Sequence, residues 1–336
     1  MTEIDSFRPC TNPDYSAILS LSGAGTRSMA TTFGRPRRRD GVINMVESLL
    51  ESDLGRYKPN WEKLGVVVAP FTIEADPRFM YLSTETRRAL SKVSYMVEAG
   101  QGASVVVGEV GTGKTTLASW FHSRYDRRPD FVAARVDEPP KKSGLLLLRR
   151  IAAEFGVRTR RATEDQLNEL RDFLTETTAR GVLPLVIIDE AHELEPEQFK
   201  ELRRLLNFRD PRGGKAYQLI LLGRPELDIN LRHSRDFNDR VATRSSLDPL
   251  APDDTASLIE YRLLAAGRDG RQPPLFTADA VLPIWRETRG YPRSICLLCL
   301  HLCLELIVAG GTQIDETFVS KFLETHTGYR QAGNDE

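Results

Sequence analysis

The sequence has few cysteines, almost no net charge and no long uninterrupted apolar run. Four cysteines occur in 336 residues, and the formal net charge is −1. The first feature argues against a disulfide framework, and the second favours neither nucleic acid nor membrane as a partner. No apolar run approaches the roughly 20 residues of a membrane span, and the N-terminus lacks the apolar core of a secretion signal. We therefore expect a cytoplasmic protein whose basic surfaces are local.

Three of the four cysteines lie close together in the sequence. Cys296, Cys299 and Cys303 surround His301 in a leucine-rich segment. A metal or redox site is one interpretation of such a cluster. Spacings of three and four residues, however, place all three thiols on one face of a helix, where cysteine packs as a small hydrophobic side chain. We therefore predict that the cysteines belong to a core.

One stretch of the chain has the pattern of a phosphate-binding loop. An apolar run is followed by glycines and a lysine with the spacing G-x-x-x-x-G-K-[ST]. Glycines let backbone N–H groups approach an anion, and the helix that follows directs its dipole at that anion. Lys114 is placed to reach the β- and γ-phosphates, and the Thr115 hydroxyl to hold Mg²⁺. The residues predicted to bind ATP are Gly108, Glu109, Val110, Gly111, Thr112, Gly113, Lys114, Thr115 and Thr116.

A second, acidic motif follows the apolar run Leu183–Ile188, which ends in Asp189, Glu190, Ala191 and His192. A carboxylate at the end of a strand can bind Mg²⁺ through water, and its neighbour can polarise an attacking water. We predict that Asp189 serves the metal and Glu190 the chemistry. A helix cap is the alternative for this acidic pair. His192 either couples nucleotide state to a neighbouring molecule or is an ordinary loop residue.

Phosphoryl transfer also needs positive charge where the γ-phosphate departs. Arg293 opens a predicted helix and can fold back onto the phosphates. Arg240 and Arg244 precede the fifth predicted strand, from which a neighbouring subunit's nucleotide is within reach. The alternative for each arginine is a surface ion pair.

Strand and helix patterns alternate up to about residue 250, and only helical patterns follow. Alternation predicts a parallel sheet covered on both faces, and the helical remainder predicts a small second domain. The last strand is predicted at Ser245–Leu247. Ser83 and Ser143 are predicted helix caps, and Thr163 with Gln166 matches a capping box. The predicted division of the chain is a poorly ordered extension (1–60), a nucleotide-binding α/β domain (61–250), a helical lid (251–328) and a tail (329–336).

Taken together, the motifs resemble those of the AAA+ ATPases. The chain is most similar to the ExeA-like group, which also includes the TniB/TnsC-type transposition regulators, over about residues 67–325. The stretches that carry the resemblance are Pro70-Phe71, Asp76–Ser83, Gly108–Thr116, Asp189–His192, Leu222–Leu227 and Gly290–Arg293.

The resemblance implies a P-loop AAA+ parallel sheet with a small all-helical lid, ATP bound between them, and assembly into rings or filaments. It assigns Arg293 to the sensor 2 position and Arg240 or Arg244 to the arginine finger that acts in trans. One position departs from the pattern, because the group usually has an amide where this chain has Arg224. Arg224 can still contact the γ-phosphate, but the departure favours slow or partner-dependent hydrolysis.

A basic feature bears on the choice of partner. In an AAA+ ring, the turn after the second strand and the segment 200–215 can line the central channel and follow a phosphate backbone without reading bases. A solvated helix face with flexible loops is the equally weighted alternative. The residues predicted to bind duplex DNA are Lys141, Lys142, Arg209, Arg212 and Lys215.

Three functions remain open at this stage. The leading hypothesis is an ATP-hydrolysing AAA+ protein that assembles on DNA and recruits a partner such as a transposase. The second is an ExeA-like ATPase that serves a secretion or envelope assembly system, which the motif Asp76–Ser83 favours. The expected lack of a membrane anchor and of a C-terminal envelope domain favours the first. The third is an ATP-gated switch with little hydrolysis, which Arg224 favours.

Overall fold

The computed structural model describes residues 59–74, 76–210 and 213–326. Nearly all of the predicted extension (1–60), the predicted tail (329–336) and Arg212 lie outside these ranges. The predicted boundaries between domains stay a prediction.

A single sheet of five parallel strands forms the centre of the molecule, with the strand order β2-β3-β4-β1-β5. The strands are β1 (Ala103–Gly108), β2 (Phe131–Val136), β3 (Leu183–Ile188), β4 (Gln218–Gly223) and β5 (Val241–Leu247). The predicted parallel α/β sheet is confirmed. Strand β5 starts four residues before its predicted start, because its residues alternate between half-buried and exposed positions and present no apolar run.

Helices cover the sheet and then continue alone to the end of the described chain. They are α1 (Thr84–Glu98), α2 (Lys114–Asp126), α3 (Gly144–Glu154), α4 (Thr163–Ala179), α5 (Pro196–Leu206), α6 (Glu226–His233), α7 (Arg235–Asn238), α8 (Pro252–Ala265), α9 (Val281–Thr288), α10 (Pro292–Ala309) and α11 (Glu316–Thr325). Helices α6 and α7 were not predicted. Their signal was available in α6, where Leu227 and Leu231 are four residues apart and an acidic first turn follows Pro225.

Two predicted helix caps are confirmed, and one is wrong. The hydroxyls of Ser83 and Ser143 each accept a hydrogen bond from the third backbone N–H that follows, at 3.2 Å. The capping box at Thr163 does not form, because Thr163 is already the first helical residue. Gln166 is fully buried instead, and its side chain accepts a hydrogen bond at 2.7 Å from the backbone N–H of Arg160.

The helices after β5 share a core with the chain that precedes α1. Buried side chains of the segment 61–79 pack with those of α8, α9, α10 and α11. Phe71 is fully buried and meets Phe276 edge to face, with ring centroids 5.8 Å apart. Cys296, Cys299 and Cys303 are buried, unbridged members of this core, as predicted. The lid is therefore built from both ends of the described chain.

Helix α10 bears on the expectation that no segment is long and apolar enough to span a membrane. Among the described residues it is the one helix that meets both criteria, with 18 residues and a mean hydropathy of 1.8. In this fold, 44% of the helix is buried, and its buried residues belong to the lid core. A core helix of this length and composition satisfies the same criteria, so α10 is weak evidence for a membrane span.

Phe71→Ala tests whether the segment before α1 stabilises the lid. Removing this buried ring should lower the free energy of unfolding by about 3–5 kcal/mol, as for other buried phenylalanines. Ile73→Ala is the matched control, because Ile73 is 57% exposed; its effect should stay within about 0.5 kcal/mol. Urea unfolding followed by circular dichroism measures both. Equal stability of the two variants would contradict the packing described here.

Candidate nucleotide-binding site

The parallel register collects three strand ends at one edge of the sheet. Val107 in β1 pairs with Gly223 in β4, and Ile188 in β3 pairs with Leu221 in β4. The glycine-rich loop follows β1, the acidic pair follows β3, and an arginine follows β4. Open α/β sheets bind ligands in the crevice outside the carboxyl ends of their strands. We therefore expect a ligand-binding site at this carboxyl edge.

The loop between β1 and α2 has the backbone conformation that close approach of an anion requires. Gly111 and Gly113 have φ angles of 85° and 100°, in the left-handed region that glycine adopts without strain. Helix α2 begins at Lys114, so its first backbone N–H groups are free for a ligand. The Thr112 hydroxyl donates to the carbonyl of Glu109 at 2.9 Å and closes the turn.

Lys114 holds its ammonium group inside this loop. The residue is 5% exposed, and Nζ donates to the carbonyls of Gly108 and Glu109 at 2.8 and 2.9 Å. Burial lowers the pKa of Lys114, and the carboxylates of Glu190 and Asp189 oppose that shift. Phosphate oxygens entering the loop would replace neutral carbonyls by charged acceptors, which make stronger hydrogen bonds.

Asp189 and Glu190 occupy different environments although they are adjacent in the chain. Asp189 is 2% exposed; burial raises its pKa, and hydrogen bonding to the Thr115 hydroxyl opposes the rise. Glu190 has a left-handed φ of 50°, and its side chain is 34% exposed. A carboxylate beside a hydroxyl offers the oxygen ligands that Mg²⁺ prefers. Asp189 and Thr115 therefore fit the predicted metal ligands, and Glu190 remains open to the crevice.

Arg135 and Ser119 also belong to this site, although neither was predicted. The Arg135 guanidinium donates to the Ser119 hydroxyl at 2.6 Å, and that hydroxyl donates to the Thr115 carbonyl at 2.9 Å. The charge of Arg135 also opposes the rise in the pKa of Asp189. The available signal was a charged residue inside the apolar run of β2, because strand interiors rarely hold an unpaired charge.

A cleft that opens to solvent lies beside the loop. Thr112, Gly113 and Thr116 line its phosphate end, and the remaining walls come from the segment before α1, the chain after β5 and the lid. The apolar side chains in these walls are Phe79, Met80, Leu247, Leu250 and Leu258. A cleft that combines apolar walls with a few polar groups suits a nucleoside phosphate.

Helix α8 of the lid makes hydrogen bonds with the segment before α1, which forms the opposite wall of this cleft. The Tyr81 hydroxyl donates to Asp254 in α8 at 2.9 Å. The guanidinium of Arg262, also in α8, donates to the carbonyl of Thr72 at 2.9 Å and lies over the Phe79 ring at 5.5 Å. The lid and the cleft wall formed by the segment before α1 therefore form one packed unit.

The motif Gly290–Arg293 joins the lid to the phosphate end. Gly290 has a φ of 76°, and a Cβ there would lie 2.1 Å from the carbonyl oxygen of Leu250, so the contact requires glycine. The backbone N–H of Arg293 donates to the carbonyl of Gly111 at 3.1 Å. The structure thus brings Arg293 to the phosphate-binding loop, with its side chain exposed.

Two other predicted arginines, Arg224 and Arg244, lie in different surroundings. Arg224 follows β4, and its charge is close enough to lower the pKa of Lys114, an effect smaller than that of burial. Arg244 lies in the edge strand β5, where its guanidinium donates to Asp228 at 2.5 Å and also to Asn238. Arg224 is therefore part of the phosphate end, whereas Arg244 is already engaged by its own subunit.

Arg240 lies at the opposite, amino edge of the sheet, together with Arg209 and Lys215. The Lys215 side chain and the Arg240 backbone both come within 3.7 Å of the position of a Cβ on Gly102. Arg209 and Lys215 pair across a short hairpin. Burial lowers the pKa of Lys215, and the charges of Arg209 and Arg240 lower it further. Within the described ranges no acid pairs with either arginine, so three cations gather here. We call these three residues the amino-edge cluster.

Lys141 and Lys142 do not join the amino-edge cluster. Both are exposed in the turn after β2, at the other end of α5. The Gln198 amide at the start of α5 donates to the carbonyl of Pro140 at 2.6 Å, and an 11-residue helix is about 16 Å long. The residues predicted to bind DNA therefore form two separate groups, with Arg212 outside the described residues.

Comparison with known proteins agrees with this fold. Residues 97–231 match the model of the AAA domain family. The chain is 30% identical over 273 residues to the general secretion pathway protein A of Aeromonas hydrophila, which covers 80% of this chain. The match spans about half (49%) of that relative's length.

Solved structures of ORC proteins share the fold. The ORC2 protein of Aeropyrum pernix, solved as ADPNP–ADP complexes, superposes with a TM-score of 0.59 at 18% identity, over 77% of this chain and 72% of that one. The Drosophila ORC bound to DNA superposes with a TM-score of 0.54 at 18% identity, over 89% of this chain and 70% of that one. At this identity the likeness concerns the fold alone.

The strand order, the loop after β1 and the acidic end of β3 define a P-loop nucleotide-binding protein of the AAA+ class. Within that class, the matched AAA domain model and the similarity to general secretion pathway protein A support a P-loop AAA+ protein of the ExeA-like type.

Lys114→Ala tests the phosphate site directly. The variant loses a charge-assisted hydrogen bond worth roughly 1.5–3 kcal/mol, so ATP should bind about tenfold to a hundredfold more weakly. Isothermal titration calorimetry measures the affinity. Lys92→Ala is the matched control, because Lys92 is an exposed lysine on α1 and should leave ATP affinity unchanged. Unchanged affinity in the Lys114 variant would refute the assignment of the loop.

Proposed function

We propose that the protein binds Mg²⁺ and ATP at the carboxyl edge of its sheet and hydrolyses ATP as part of a homo-oligomer in the cytoplasm. The observation that carries this proposal is the convergence of Lys114, Thr115, Asp189 and Glu190 beside the cleft. These side chains supply a phosphate-binding cation, two oxygen ligands and a solvent-facing base.

Each side chain has a distinct part in the proposed reaction. Lys114 and the N–H groups at the start of α2 hold the β- and γ-phosphates. Glu190 accepts a proton from the attacking water, and Arg224 and Arg293 balance charge that develops on the γ-phosphate. Mg²⁺, held by Thr115 and Asp189, would neutralise negative charge on the phosphate oxygens. The charge of Arg135 partly opposes the rise that burial imposes on the pKa of Asp189.

Arg240 is better suited than Arg244 to act on a neighbouring subunit. Strand β1 has six residues and separates Arg240 from its own phosphate loop by about 20 Å, so Arg240 cannot reach its own nucleotide. Its guanidinium is also unpaired within the described residues, whereas that of Arg244 binds Asp228 and Asn238. We therefore assign the trans-acting position to Arg240.

A mixing experiment tests this assignment together with the role of Glu190. Glu190→Gln should bind ATP and lose nearly all turnover, because the amide cannot accept the proton. In Arg240→Ala, turnover by the oligomer should fall, because no subunit then offers this guanidinium to its neighbour's nucleotide. Mixed oligomers should recover part of the activity, since some interfaces combine an intact Glu190 with an intact Arg240. A phosphate-release assay across mixing ratios measures the recovery. The control repeats the mixing with Arg244→Ala in place of Arg240→Ala.

Two results would count against these roles. Parent-level turnover by Glu190→Gln would remove Glu190 from the reaction. Mixed oligomers that are confirmed by native mass spectrometry and show no recovery at any ratio would remove Arg240 from a trans role.

Non-specific binding of duplex DNA is the second candidate function, and the amino-edge cluster supports it. Arg209 and Lys215 add two cations that no acid neutralises within the described part of the chain. Arg203 and Arg204 on α5, by contrast, are ion-paired with Asp236 and Glu164. Unpaired cations release counterions when they meet phosphates, and they read no bases. Under this proposal the protein acts on DNA as transposition regulators do.

Fluorescence anisotropy with ATP and Mg²⁺ tests DNA binding and locates it. The parent should bind duplexes of different sequence equally, with affinity that falls steeply with salt. The Arg209→Ala/Lys215→Ala pair should flatten the log–log slope by about 1.8, or roughly 0.9 for each phosphate that is no longer neutralised. The Lys141→Ala/Lys142→Ala pair is the matched comparison from the carboxyl edge and should change the slope less.

The absence of DNA binding by the parent at low salt would end the DNA proposal. The remaining role would then be that of an ATPase in a secretion or envelope assembly system. The 30% identity to general secretion pathway protein A supports that role.

A further inference from the structure

The turn after β3 holds His192 against the Glu190 carboxylate. The His192 side chain is 13% exposed, and its Nδ1 lies 3.3 Å from Oε2 of Glu190. No hydrogen bond of good geometry reaches this buried nitrogen from the residues that the structure describes. A buried polar atom without a partner is costly, and Glu190 is the acceptor within reach. A small rotation of the Glu190 side chain completes a charge-assisted hydrogen bond.

The backbone of His192 is fixed by β4 and α6. The side-chain amide of Asn230 in α6 donates to the His192 carbonyl at 2.7 Å and lies 3.5 Å from the carbonyl of Leu194. A Cβ at Gly223 would lie 2.9 Å from the backbone nitrogen of His192, so the end of β4 packs directly on the turn. The backbone of His192 therefore has little freedom to move away from the carboxylate.

The geometry points to His192 as a positioning residue for the Glu190 carboxylate, with Asn230 as the residue that holds His192 in place. The inference rests on the proposed role of Glu190 in ATP hydrolysis. With its proton on Nδ1, the imidazole donates to one carboxylate oxygen and leaves the other free to accept a proton from the attacking water. Arg224 stands where the AAA+ resemblance leads us to expect an amide, and it carries only N–H donors. It therefore cannot replace the Glu190 carboxylate as the acceptor of the water's proton.

Steady-state hydrolysis and ATP binding by the full chain test the inference. In His192→Phe, which keeps a ring and loses the nitrogen, kcat should fall about tenfold to a hundredfold, the range seen when partners of functional ligands are removed. ATP affinity should stay within twofold, because His192 does not reach the phosphate loop. His192→Asn retains a donor close to the Nδ1 position and should restore most of kcat. Asn230→Ala should give an intermediate loss.

The matched control is His233→Phe. His233 is exposed at the end of α6, so its replacement should leave kcat and ATP affinity unchanged. A second background isolates the route of the effect. In Glu190→Asp the carboxylate is one methylene shorter and out of reach of His192, so adding His192→Phe should change the residual kcat less than twofold.

The outcomes separate this inference from the proposed function. A parent that binds ATP and shows no turnover would overturn the proposed hydrolysis, and this inference with it. An active parent with unchanged kcat in His192→Phe would overturn the inference alone, as would an equal loss in the Glu190→Asp background. If His192→Phe melts well below the parent, His192→Asn and Asn230→Ala decide the matter. Parent-level kcat in Asn230→Ala, or loss in His192→Asn as large as in His192→Phe, would overturn the inference.

Discussion

The candidate site depends on the parallel pairing of β1 with both of its neighbours. Strand β1 is almost fully buried and hydrogen-bonds to β4 on one side and β5 on the other, so the loop that follows it has a fixed origin. Strand β3 lies two positions away, at about 10 Å, which is within the combined reach of a lysine and a glutamate side chain. If β1 were antiparallel or moved to an edge, Lys114 and Glu190 would not share an electrostatic environment.

That shared environment explains how the molecule keeps several charges in a buried place. Burial disfavours the charged form of Lys114 and of Asp189, and each group is partly compensated by opposite charge nearby. The Lys114 ammonium lies close enough to the carboxylates of Asp189 and Glu190 to be stabilised by them, and the Arg135 guanidinium acts on Asp189 in the same way. A triphosphate upsets this balance, so further positive charge is needed. The exposed side chain of Arg293, the adjacent Arg224 and a metal at Asp189 are suitably placed to restore it.

Local patterns predicted the parts of the site that depend on neighbours in sequence. The loop from Gly108, the strand Leu183–Ile188 and the Ser83 and Ser143 caps all follow from spacing and composition. The contacts of Asn230 and Arg135 could not be predicted, because they join residues 38 and 16 positions apart through packing of whole elements. The basic residues gave the opposite difficulty. The AAA+ resemblance groups Lys141 and Lys142 with Arg209 and Lys215 as one channel surface, although α5 separates the two pairs by its own length.

The two edges of the sheet have complementary character, and this bears on how copies of the chain would assemble. The carboxyl edge prepares a place for a triphosphate, whereas the amino-edge cluster presents cations without acidic partners among the described residues. A phosphate at one edge and a guanidinium at the other can meet only if a second copy sets its amino edge against the first copy's cleft. Such an interface is heterologous, so each copy of a pair keeps one unused edge, to which a further copy can add. Continued addition would give a ring or a filament, and the rotation per subunit decides between them.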